Sequence, residues 1–212
     1  MHDTTVSTLP ERICVLGIGN LLWADEGFGV RCVEALAQRH DFAPHVALVD
    51  GGTQGLYLLP QVQQADALLI LDAVDYGLAP GQLQLVRDDE VPRFLGAKKM
   101  SLHQTGFQEV LALAQFTGRY PRHVLLLGCQ PEVLDDYGGS LTPVVRAAME
   151  QALTLAVQQI ADWGGQPVPR RSAAAPREQL SLDALALAAY EAGRPSAQDA
   201  CRVGDARFLA DA

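Results

Sequence analysis

An apolar run that ends in a glycine turn and is followed by two adjacent carboxylates constrains this chain more than any other stretch. Ile13, Cys14, Val15 and Leu16 are continuous and stop at Gly17. A run of this kind fits a strand covered on both faces, as in a parallel sheet. Gly17-Ile18-Gly19-Asn20 turns the chain, and from Asp25-Glu26 onward Phe28, Val30, Val33, Leu36 and Ala37 recur at helical spacing. Asp25 reads as the helix N-cap and Glu26 as a first-turn carboxylate. The unit is strand, glycine turn, acidic loop, helix. It sets two carboxylates at the carboxyl edge of a first strand.

The same alternation continues along the chain. Residues 45–50 read as a second strand closed by Gly51-Gly52, and residues 55–63 as a short helix. Residues 67–72 form the clearest buried strand, again ending on a carboxylate, Asp72. Residues 82–86 alternate polar and apolar, which suits an edge strand with one solvated face. After a basic, irregular connection at 92–100, an amphipathic helix is expected over about 105–116, then a buried strand at 123–128. Thr142 followed by Pro143 gives an N-cap with proline at the first helical position, starting a helix that runs to about Trp163 before Gly164-Gly165. Strands alternating with helices predict an α/β chain: a doubly wound three-layer sandwich around a mostly parallel, twisted sheet of about five strands. Residues 1–11 read as a flexible leader, 12–164 as a single domain, and 165–212 as a proline- and alanine-rich tail with one short helix at about 180–192.

Composition excludes several classes. With 212 residues, 49% of them hydrophobic, the chain supports one ordinary core. A formal net charge of -9 and the lack of any Lys/Arg run argue against nucleic acid or an anionic membrane as partner. The N-terminus has no basic and apolar signal pattern, and no apolar stretch reaches membrane-spanning length. Cys14, Cys32, Cys129 and Cys201 form no CxxC pair and read as small hydrophobes in a reducing compartment. A cytoplasmic monomer is expected.

Gly17 and Gly19 fit the first two glycines of a dinucleotide fingerprint, with Asp50 ending the next strand where a ribose-binding acid would lie. Leu22 stands in place of the third glycine, and Asp25 and Glu26 would repel a pyrophosphate. The loop suits a cation instead. Ligands of open α/β sheets bind outside the carboxyl ends of the strands. There the loop of Glu26, the strand end at Asp72 and the segment of His103 converge. Two carboxylates and an imidazole suit a divalent metal, with nickel, zinc and iron all compatible. Plainer roles stand beside each: a turn-capping Asp72, a structural loop His103, an Asp75 facing solvent in an exposed turn. His2, His40, His45 and His123 read as surface or strand-end residues. A serine nucleophile is disfavoured without a G-x-S-x-G elbow, and Ser101 and Ser140 read as loop or cap serines. Cys14 and Cys129 lie in or after buried strands, where a thiol stays protonated.

GIGNLLWADEGFGV resembles the N-terminal motif of the nickel-iron hydrogenase maturation endopeptidases. VDGGTQG, LLILDAVDYGLAPG, KKMSLHQTGFQEVL and LGCQPEVLDDYGGSLTP are similar to the remaining blocks of that family, in the same order over about 12–163. LLWADEGFG, AKKMSLHQ and DDYGGSL look most like the branch that processes the membrane-bound uptake hydrogenase. The resemblance implies removal of a C-terminal extension from the precursor of the large subunit once nickel has been inserted. It also implies that Glu26, Asp72 and His103 contact the metal, supplied by the precursor. Either the metal activates water, or Asp72 or Glu26 acts as general base in an aspartyl-type hydrolysis while nickel serves recognition. Rival expectations are a nickel chaperone without peptidase activity and a nucleotide-binding oxidoreductase.

Overall fold

The structure is a computed structural model that describes residues 9–92, 102–170, 180 and 183–194, with the backbone alone described for 102–105. The basic connection expected at 92–100 lies outside the described residues from 93 onward, as do the start of the leader and most of the tail.

Strand β1 (Ile13–Ile18) passes through a glycine turn and a 3₁₀ turn (Ala24–Gly27) into α1 (Phe28–Arg39) and a two-residue strand β2 (His40–Asp41). Strand β3 (Val46–Gly52) leads through a 3₁₀ turn (Gly55–Leu58) to α2 (Leu59–Gln64) and β4 (Ala67–Ala73). Then come β5 (Leu83–Arg87), α3 (Leu102–Phe116), β6 (His123–Cys129) and α4 (Pro143–Asp162). The chain continues to β7 (Val168–Pro169), a 3₁₀ turn (Asp183–Leu185) and a last short helix, α5 (Leu187–Ala192).

Five strands make one sheet in the order β3-β1-β4-β6-β5, parallel except for β5, which runs antiparallel on the β6 edge. The expected α/β sandwich is what forms. Because successive side chains of a strand face opposite ways, each buried strand feeds two cores. Val15, Leu69, Leu71, Leu125 and Leu127 pack with α1 and α4 on one face. Leu16, Leu68, Ile70, Val124 and Leu126 pack with α2 and α3 on the other. The apolar runs are continuous because both faces are covered.

Helix α1 lies unusually close to the sheet. A Cβ on Gly29 would come within 2.1 Å of the Leu71 carbonyl oxygen and 2.3 Å of that of Ile18. The close-packing glycine that a dinucleotide fingerprint would have at position 22 therefore stands at Gly29 instead. It serves helix-to-strand contact.

Two boundaries differ from expectation. Helix α3 begins at Leu102, earlier than the apolar periodicity shows, so His103 sits in its first turn. The tail is not separate from the domain where it is described. Val168–Pro169 pairs antiparallel with His40–Asp41, Leu180 packs against the α1/α4 core, and Arg31 of α1 donates to the Leu185 carbonyl at 2.6 Å. A two-residue strand carries no periodicity that a sequence reading can detect.

Candidate active site

The order β3-β1-β4 makes the chain leave β1 for one neighbour and return for the other. The gap between the carboxyl ends of β1 and β4 is thus the topological switch point, where ligands of open α/β sheets bind. Glu26 follows β1, and Asp72 is the last residue but one of β4. Gly17 pairs with Leu71, so Asp72, still paired with Gly128 on its other side, stands one residue past the last β1–β4 pair, where β1 enters its glycine turn. The turn carrying Glu26 packs against β4. The two carboxylate-bearing segments therefore meet at the switch point.

Helix α3 arrives at the same edge. It packs against the 3₁₀ turn after β3, where Gly106 approaches Gly55. The His103 backbone lies in the first turn of that helix; its side chain is outside the described residues. Among the described residues no cluster of three His, Cys, Asp or Glu side chains is arranged to hold a metal.

The loop that presents Glu26 is built with care. Gly19 adopts φ +133, and a Cβ there would fall 1.8 Å from the Glu26 carbonyl oxygen. Glu26's own backbone occupies the space that a fingerprint glycine keeps open for a pyrophosphate. Ala24 is held in the left-handed region at φ 39, a conformation that costs a non-glycine residue about 1 kcal/mol. Glu26 itself is half-buried, and burial raises its carboxyl above the ordinary value. A carboxylate short of solvent is a good partner for a cation, which favours its charged form. Asp72 is 3% exposed. These two side chains suit a hard or borderline divalent ion.

Asp25 corrects an expectation. It caps no helix: α1 starts from Gly27 without a side-chain cap. The Asp25 carboxylate is fully buried and accepts hydrogen bonds from the Glu132 and Val133 amides, each at 2.9 Å. It also takes the Thr142 amide at 2.7 Å and the Thr142 hydroxyl at 3.0 Å. The Thr142 hydroxyl consequently makes no cap bond to α4, although Pro143 does occupy the first helical turn as expected. Asp25 welds the β1–α1 loop to the β6–α4 loop. A bridge between Trp23 and Tyr137, whose rings meet edge-on at 5.3 Å, extends the join outward.

Asp75 also departs from expectation. Its carboxylate accepts from the Gly77 amide at 2.9 Å and from the Gln130 side chain at 3.0 Å, so it faces protein rather than solvent alone. Gln130 is buried, and its side-chain oxygen accepts the amides of Tyr76 and Leu78 at 2.7 and 3.1 Å. It shapes the loop that follows Asp72. The signal that could have found it is the one that marked Asp72, a polar residue terminating a fully apolar strand. Tyr76 lies over Gly128, which pairs with Asp72; burial, then the Asp72 charge, push its hydroxyl pKa up.

The cysteines behave as expected where they are described. Cys14, Cys32 and Cys129 are buried and unbridged. Burial pushes Cys14 and Cys129 up to about 12, Asp25 adding to the effect on Cys129. Such thiols are poor nucleophiles.

A mostly parallel α/β sheet with one buried and one half-buried carboxylate at its switch point places polar groups where ligands of such sheets bind. Comparison with known proteins gives the family. Residues 30–159 match the hydrogenase maturation protease family. The hydrogenase expression/formation protein HoxM of Cupriavidus necator is 62% identical over 197 residues, covering 93% of this chain and 98% of that protein. The hydrogenase 2 maturation protease of Escherichia coli is 43% identical over 162 residues, 76% of this chain and 98% of its own length. The solved structure of the hydrogenase maturating endopeptidase HybD from E. coli superposes with a TM-score of 0.71 at 42% identity, over 75% of this chain and 98% of that one. The chain belongs to the hydrogenase maturation proteases. It is a peptide-bond hydrolase of hydrogenase maturation. No helix among its described residues is long and apolar enough to cross a membrane.

Proposed function

We propose that this protein removes the C-terminal extension from the nickel-loaded precursor of a nickel-iron hydrogenase large subunit, acting as a monomer in the cytoplasm. Nickel arrives as part of the substrate, and Glu26, Asp72 and His103 are the residues that contact it. The observation that carries this reading is the meeting of the Glu26 turn with the carboxyl end of β4 at the switch point.

A divalent ion held there would polarise the scissile carbonyl or acidify a water. Hydrolysis adds water across the C–N bond: hydroxide joins the carbonyl carbon and a proton reaches the leaving amine. Glu26, half exposed, is open to a water from which it can take the proton. Asp72, nearly closed off at the strand end, is the fixed oxygen donor. The buried thiols and Ser140, which donates to Glu191, take no part.

Purified protein incubated with nickel-loaded and nickel-free precursor tests this. Mass spectrometry should show loss of the extension from the loaded form alone. A loaded precursor that stays intact while binding the protein would favour a chaperone. Cleavage of the nickel-free form at the same rate would remove nickel from recognition.

A further inference from the structure

Resting on that reading of the substrate, we infer that residues 183–194 form a specificity element. Together with the β6–α4 loop they make a subsite for an extended stretch of the precursor's C-terminal extension.

An open cleft of about 410 Å³ lies between the tail and the domain. Ala24, Val133, Ser140 and Arg146 line it from the domain, Glu191 and Arg194 from the tail. This volume suits a few side chains of an extended peptide and is too small for a folded element. The cleft shares a wall with the catalytic loop. Ala24 precedes Glu26 by two residues, and the Asp25 amide donates to the Val133 carbonyl at 3.1 Å.

The tail is fixed at this place by polar contacts. Glu191 accepts from the Ser140 hydroxyl at 2.6 Å and pairs with Arg146, and Arg194 pairs with Asp136 at 2.8 Å. Behind them Arg31 donates to Leu185 and lies over the Tyr190 ring, 5.5 Å from its centroid. Both arginines lining the cleft remain more than a third exposed, at 39% and 35%, each with a carboxylate opposite. Heads of both signs on one rim, with Val133 and Ala24 between them, complement a peptide that alternates apolar and charged side chains.

The relatives differ in length. HoxM of C. necator spans 93% of this chain, whereas the whole E. coli hydrogenase 2 protease is accounted for by 162 residues of it. The α/β domain alone takes up nearly that length. A whole protease of the family is thus shorter than this chain, and the proposed subsite would add choice of precursor.

The test uses the full chain and two precursors. One is the nickel-loaded cognate precursor; the other is identical except that its extension beyond the cleavage site is replaced by Gly and Ser. Glu191→Lys reverses the charge facing Arg146, and Arg194→Glu does the same facing Asp136. Each variant should raise KM for the cognate precursor roughly tenfold with kcat little changed. Neither should raise KM further for the Gly/Ser precursor, which already lacks the side chains the cleft would hold. Circular dichroism checks that each variant is folded, and if Glu191→Lys is not, Arg194→Glu decides alone. Equal effects on both precursors, or an unchanged KM for the cognate one, would overturn the subsite. An unaltered chain that leaves the loaded precursor whole would instead remove the functional reading beneath it.

Discussion

The Asp25 carboxylate receives both the amide and the hydroxyl of Thr142, at 2.7 and 3.0 Å, across 117 positions of sequence. One buried side chain thereby fixes the start of α4 and the loop beside the Glu26 turn. Asp25→Ala would leave the Glu132, Val133 and Thr142 amides without this acceptor, at a cost of about 3 kcal/mol. Thermal melting should show a large loss for Asp25→Ala and a smaller one, about 1 kcal/mol, for Thr142→Val, which keeps the amide bond. A melting temperature indifferent to Asp25→Ala would refute the join.

Glu26 gives a prediction in pH. Burial lifts its carboxyl above the ordinary 4.5, so the folded chain keeps this proton to higher pH than the unfolded chain. The stabilisation this group contributes is complete below 4.5 and disappears as pH climbs through the raised value. Glu26→Gln should therefore melt slightly higher than the natural chain at pH 7, by under about 1 kcal/mol given its exposure, and the advantage should vanish near pH 4. Cleavage should be lost in the same variant. In the natural chain kcat/KM, which reports the protein before the nickel-bearing substrate binds, should show an acid limb centred above 4.5. A destabilised Glu26→Gln at neutral pH contradicts this.

The three proposed nickel contacts should behave as a set. Asp72→Asn and His103→Ala are each expected to lower kcat/KM on loaded precursor by about a thousandfold while melting cooperatively. Quantified product from single-turnover mixtures provides the measurement. Activity within tenfold of the natural chain for either variant would take that residue out of the site.

Gly29→Ala tests the packing that positions the switch point. Its new methyl would stand 2.1 Å from the Leu71 oxygen, a backbone atom that cannot swing aside. Destabilisation of about 3 kcal/mol or more is expected, with helix α1 pushed off β1 and β4. Denaturant midpoints compare the two chains directly, and near-equal midpoints would count against the tight contact.

Much of this could be read from residue types. Strands buried on both faces announce themselves as unbroken apolar runs, and Asp72 stands out because a carboxylate ending such a run needs a partner. The Asp25 network was illegible for a physical reason. A carboxylate before a helical pattern has the same local signature whether it caps that helix or reaches a loop more than a hundred residues away. Gln130 acts through loop amides far from it in sequence, and β2–β7 is too short to show a period. Glu191 and Arg194 look like ordinary surface charges until the fold brings Arg146 and Asp136 opposite them.

The last described stretch of the tail, 183–194, meets the β6–α4 loop through ion pairs and a hydroxyl contact at the rim, with Arg31 gripping it from behind. An appendage joined in this manner can be gained or shed by a lineage without repacking the sandwich beneath. Its grip should also slacken as ionic strength rises, long before the sheet itself is disturbed.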